Sequence, residues 1–171
     1  MMLIVYSTVD GHTRKICERL QQQVQACGES ATLACLDDAP DPSAFDRIVI
    51  GASIRYGKHR PAVAEFVRSH AALLAARKSA FFSVNIVARK PLKNRADTNP
   101  YVRKFLQPLP WQPNEVDVFA GKLDYPRYGF FDRQMIRFIM LVTHGPTDPT
   151  AVVEFTDWAR VDEFALRVAR M

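Results

Sequence analysis

A single short turn near the N-terminus, Ser7-Thr8-Val9-Asp10-Gly11-His12-Thr13, gathers three hydroxyls around one glycine. The hydroxyls of Ser7, Thr8 and Thr13 can bond phosphate oxygens, and Gly11 lets the backbone fold tightly. A helix beginning behind them would aim free amides and the positive end of its dipole at a bound anion. The turn has neither the lysine of a Walker loop nor the three glycines of a dinucleotide fingerprint, so it suits one terminal phosphate better than a triphosphate or pyrophosphate. The same residue types also make an ordinary capped turn, because Ser, Thr and Asp are common helix N-caps.

Two further segments carry chemistry. Ser53-Ile54-Arg55-Tyr56-Gly57, followed by Lys58 and His59, sets an aromatic ring and several cations around a glycine. A flat heteroaromatic ring such as isoalloxazine needs apolar or aromatic walls and backbone donors at its polar edge, and this segment can supply both; a solvated basic loop is the alternative. Ser83-Val84-Asn85-Ile86-Val87-Ala88 begins with groups able to hydrogen-bond a pyrimidine edge and runs into Arg89 and Lys90. Lys93, Arg95, Arg103 and Lys104 extend the positive run, which is equally the pattern of a solvated face.

The net charge of +5 favours an anionic partner without saying which. Nucleic acid is disfavoured, since no recognition helix or stacking array accompanies the basic residues. His12, His59, His70 and His144 have no ligand spacing with a carboxylate partner, so no metal is expected. The three cysteines, Cys17, Cys27 and Cys35, lack CxxC spacing and read as reduced thiols. Met1 to Tyr6 is too short for a signal or spanning segment, which predicts a cytoplasmic protein.

These segments need elements to position them, and the hydrophobic pattern supplies alternating βα units. Leu3 to Tyr6 is the first strand, and Ile16, Leu20, Val24 and Cys27 follow at helical spacing until Gly28. Ala31 to Leu36, Arg47 to Ala52, Ala80 to Val84 and Val116 to Leu123 are the later strands. Pro61 opens a helix through Leu74, a shorter helix covers Tyr101 to Leu106, and the last starts near Thr156 or Asp157. The expectation is one α/β domain over 1–171, a doubly wound five-stranded parallel sheet of order 2-1-3-4-5. In such sheets ligands bind beyond the carboxyl ends of the strands, where all three segments fall. Residues 124–150 are too long and too apolar for an ordinary connection, and read as an insert in the strand-five region.

The turn STVDGHT, the stretch from Ile48 to Gly57, the stretch from Ser79 to Pro91, and YPRY at Tyr125 to Tyr128 with Asp132-Arg133 resemble the flavodoxin-like, menaquinone-dependent protoporphyrinogen dehydrogenases. The likeness continues through Phe155-Thr156-Asp157-Trp158. The resemblance implies a flavodoxin-like fold and FMN, with its phosphate on Ser7 to Thr13 and its ring against Ser53 to Gly57 and Ser83 to Ala88. It implies protoporphyrinogen IX as electron donor, menaquinone or ubiquinone as acceptor, and peripheral contact with the anionic inner face of the cell membrane. No strong acid or base is required, so no catalytic side chain is named. Arg55, Arg89, Lys90 and Arg127 are candidates for pairing the substrate's propionates, because a cation, above all a guanidinium fork, binds carboxylate. A flavodoxin-type electron carrier is the alternative, although carriers usually present acidic faces and this chain is basic. An oligomer is possible. The insert is expected to face both membrane and substrate, or else to fold back as an extra core layer.

Overall fold

The computed structural model describes all of Met1–Met171. Five parallel strands form the main sheet: β1 (Met2–Ser7), β2 (Ala31–Cys35), β3 (Arg47–Arg55), β5 (Lys78–Val84) and β6 (Glu115–Phe119). Their order is β2-β1-β3-β5-β6, which is the expected 2-1-3-4-5 once a two-residue strand, β4 (Lys58–His59), is set aside. β4 doubles back antiparallel on the end of β3, pairing Arg55 with Lys58. Tyr56 and Gly57 make that reversal with φ of 49° and 76°, a left-handed pair that Gly57 accommodates without a Cβ penalty.

Near-continuous apolar runs mark strands buried on both faces, and both faces are covered here. On one side α1 (His12–Ala26) and α6 (Trp158–Ala169) place Ile16, Leu20, Val24, Val161, Phe164 and Val168 against Ile4, Val49, Phe82 and Phe119. On the other side α2 (Pro61–Ser69) and α3 (Ala71–Ala76) place Val63, Val67 and Leu74 against Leu3, Val5, Ile50 and Phe81. Gly51 is the one strand position where a side chain has no room, since a Cβ there would lie 2.3 Å from the Phe82 ring.

Three boundaries differ from the sequence pattern. The helix opened by Pro61 is broken at His70, whose backbone leaves helical angles while its Nδ1 donates to the Phe66 carbonyl at 2.9 Å. Strand two stops at Cys35, and Leu36 opens a 3-10 turn. The fifth strand ends at Phe119, after which β7 (Lys122–Asp124) leaves the sheet and pairs antiparallel with β8 (Val152–Glu154). Between β7 and β8 lie a 3-10 turn at Tyr125–Arg127 and α5 (Phe130–Val142).

The insert is therefore a hairpin carrying a helix, with one side packed and the other exposed. Its inner side makes a small core of Leu123, Tyr125, Tyr128 and Met140, with Tyr125 donating to the Pro146 carbonyl at 2.7 Å. Its outer side leaves Phe131 85% and Phe138 63% exposed. No helix is long and apolar enough to cross a membrane.

Candidate functional site

A cleft opens beyond the carboxyl ends of β1, β3 and β5, where the three sequence segments meet. Thr8, Val9, Asp10, His12 and Thr13 line one end, Ser53 through Gly57 line one wall, and Val84 through Val87 line the base. Ser7, Gly11, Ser83 and Ala88 do not line it. Sequence reasoning missed Tyr101, Gly121, Lys122 and Leu123, and it named none of the insert residues Tyr128, Ile136, Ile139 and Met140 that complete the far wall as site residues. Gly121 carries a readable signal, a glycine just after a strand end, although a Cβ there would make only ordinary contact with Val84 and Ile86 at 3.5 and 3.6 Å.

The turn from Ser7 to Thr13 keeps donors unused. Gly11 takes φ 84° as the N-cap of α1 and offers no side-chain acceptor to the amides of the first helical turn. Those amides have no partner within a helix, and they face the turn with the dipole behind them. Thr13 Oγ1 is buried without a hydrogen-bond partner, in a residue only 1% exposed. A buried hydroxyl left unpaired costs about 1–3 kcal/mol, so its natural partner is a ligand acceptor. Thr8 Oγ1 accepts from the Gly11 amide at 3.0 Å and holds the turn's shape. Thr156 gives its proton to the Ala120 carbonyl at 2.7 Å, so at 2.6 Å it accepts from His12 Nε2. Burial lowers the His12 pKa, with Glu154 opposing, and in the neutral ring this contact fixes the proton on Nε2.

The base of the cleft rests on a buried polar chain. Asn85 Nδ2 donates to Ser83 Oγ at 3.2 Å, which frees the Ser83 proton for His59 Nε2 at 3.0 Å. Asn85 Oδ1 accepts from the Ala88 amide at 3.0 Å and from Asn99 at 3.3 Å. Its amide is thus spent on shaping the loop, and the loop's backbone is what remains for a ring edge. His59 lies against Phe105 and Phe81 with ring centroids 4.6 and 5.7 Å away. Burial pushes its pKa from 6.5 to about 4. The unfolded chain therefore takes up this proton at higher pH than the folded one. Stability is expected to be full above about pH 6.5 and to fall as pH drops toward 4, by up to about 3 kcal/mol. His59→Gln, which takes no proton, should flatten that part of the profile in urea unfolding; an unchanged slope would remove His59 as its source.

The four arginine and lysine candidates separate by position. Arg127 lines the cleft, exposed and without an ion pair or hydrogen bond. Arg55 also lines it but is already paired with two carboxylates. Arg89 lies outside, its guanidinium bonded to the Ile86 and Thr143 carbonyls at 3.1 and 3.0 Å. Lys90 is half-exposed and also off the cleft.

Residues 3–150 match the flavodoxin-domain family. The protoporphyrinogen IX dehydrogenase [quinone] of Escherichia coli (strain K12) is 46% identical over 99% of this chain and 94% of its own. That of Leishmania major is 46% identical over 95% of this chain and 72% of its own. The chain belongs to the quinone-dependent protoporphyrinogen IX dehydrogenase family. Among solved structures, an archaeal flavodoxin superposes with TM-score 0.55 at 13% identity, covering 99% of this chain and 96% of that one. The Megasphaera elsdenii flavodoxin gives TM-score 0.53 at 16% identity, over 70% and 85%. These likenesses show the fold, and the flavodoxin-domain match implies flavin binding. The unpartnered Thr13 hydroxyl and the α1 amides fit that assignment.

Proposed function

We propose that this chain oxidises protoporphyrinogen IX to protoporphyrin IX, a step of haem biosynthesis, using FMN and passing the electrons to a respiratory quinone, menaquinone or ubiquinone. The observation that carries the reading is a cleft with an unpartnered hydroxyl at its phosphate end and the insert as its far wall. The 46% identity to named dehydrogenases over nearly the whole chain supports it. FMN, when bound, supplies the two-electron redox chemistry that three successive withdrawals from the porphyrinogen require.

The chain's own residues bind, orient and shield. Thr13 and the first amides of α1 hold the phosphate. Tyr56, Gly57 and the backbone of Val84 to Val87 would hold the ring. Tyr128, Ile136, Ile139 and Met140 of the insert exclude water and present an apolar surface to a flat macrocycle. Arg127, the cleft-lining cation with no partner in the chain, is positioned to receive a propionate. The protein is cytoplasmic in this reading and rests peripherally on the inner face of the cell membrane, with the exposed side of α5 toward the lipid.

Reconstitution with FMN, followed by anaerobic mixing with protoporphyrinogen and a menaquinone analogue, should produce porphyrin fluorescence. A holoprotein that accepts electrons only from other redox proteins would be a carrier, and the reading would fail. The reduced holoprotein is also expected to be reoxidised far faster by the menaquinone analogue than by a pyridine nucleotide, for which no dinucleotide fingerprint exists. Stopped-flow traces with the opposite preference would contradict the assigned acceptor.

A further inference from the structure

Helix α5 is fastened at both ends by arginines that belong to the loops of the flavin site. At its N-terminal end, Arg55 Nη2 bonds Asp132 at 2.8 Å while Nη1 bonds Asp10 of the phosphate turn at 3.0 Å. The same guanidinium lies 5.7 Å from the Tyr56 ring and 5.6 Å from the Tyr128 ring. One side chain of the second loop thereby joins the phosphate turn to the insert. At the C-terminal end, Arg89 of the third loop donates to the Thr143 carbonyl and hydroxyl at 3.0 and 3.1 Å, and to the Ile86 carbonyl of its own loop. A cation there also meets the negative end of the helix dipole. A guanidinium fork can hold two acceptors in fixed directions, which an ammonium cannot reproduce.

We propose that Arg55 and Arg89 are positioning residues that couple the insert to the cofactor loops, so that occupation of the flavin site fixes α5 and completes the wall against which substrate binds. The proposal rests on the flavin reading given above. It assigns both arginines a role other than pairing the substrate's propionates. Two sites joined through a shared rigid element bias each other reciprocally, so loosening α5 also weakens cofactor binding.

Hydrogen exchange of the α5 amides, measured on the apoprotein and on the FMN-loaded protein, reads the coupling without any turnover. FMN is expected to slow exchange across residues 130–142 by about tenfold or more in the wild-type chain. In Arg55→Met and Arg89→Met that protection should be largely lost, while the sheet amides stay protected. Asp132→Asn separates this role from direct substrate contact. It leaves the Arg55 cation in place, still paired with Asp10 but no longer tied by charge to the insert, so a propionate-binding arginine would give an unchanged or lower KM for protoporphyrinogen. A positioning arginine gives a KM raised about tenfold, as in Arg55→Met, with a smaller change in kcat. The double variant should then be no worse than either single one. Full FMN affinity with no α5 response in the wild-type chain would overturn the coupling; failure to bind FMN at all would overturn the reading beneath it, and the coupling with it.

Discussion

Replacing Thr13 with glutamate is expected to abolish FMN binding. The position is 1% exposed, at the start of α1, and its hydroxyl is the buried group without a partner in the phosphate turn. A carboxylate there would stand roughly 6 Å from a phosphate dianion, a repulsion of about 3 kcal/mol for each unit of phosphate charge at an effective dielectric of about 20. That alone weakens binding by more than about a hundredfold. Thr13→Val keeps the volume and removes only the hydroxyl, and its two effects should have opposite signs. The apoprotein becomes slightly more stable, because an unpaired buried hydroxyl is gone, while FMN affinity falls by about ten- to a hundredfold with the loss of one charge-assisted hydrogen bond. Fluorescence titration and thermal melts measure the two quantities on the same samples. Unchanged affinity in a folded Thr13→Glu protein would move the phosphate elsewhere.

The parts of this site that were legible in the sequence are those made by short stretches of chain. Ser7 to Thr13 reads as a phosphate turn because strand, glycine and helix start all fall within a few residues, and the five parallel strands read from compact apolar runs. What the pattern could not give depends on partners far along the chain. Arg55 looks free to bind a carboxylate until the fold brings Asp10 and Asp132 to it, residues 45 and 77 positions away. Arg89 looks equally free until Thr143 arrives from the end of α5. Asn85 resembles a group for a pyrimidine edge, but its amide is used locally by the Ala88 N–H and by Asn99. The insert shows the same limit in another form. Its apolar content announced that something was covered or exposed, yet only the pairing of β7 with β8 decides which residues face inward. Met140 is 2% exposed and Leu141, the next residue, 67%. Arg133 and Arg137, interleaved with apolar residues along α5, donate to the Tyr128 and Thr147 carbonyls at 3.2 and 2.9 Å.

That division of α5 makes a sharper test of membrane contact than removing the insert, which would take away a wall of the cleft. Phe131, Phe138 and Val142 share the outer side, 85%, 63% and 61% exposed, and none of them lines the cleft. Changing all three to serine removes apolar surface that a lipid interface would bury. At about 1–2 kcal/mol for each partly inserted side chain, vesicle association should fall by roughly a hundredfold or more. The fold and FMN binding should persist, since the inner core of Leu123, Tyr125, Tyr128 and Met140 is untouched. Met140→Ser is the opposite control, expected to lower stability by about 2 kcal/mol or more through a cavity in that core while leaving vesicle binding to the folded fraction. Oxidation coupled to a membrane-dissolved quinone should fall with vesicle association in the triple variant, and a water-soluble quinone should restore it. Sedimentation with liposomes decides the matter: a wild-type protein that stays in the supernatant, or a triple variant that sediments equally well, would mean that the outer side of α5 does not meet lipid.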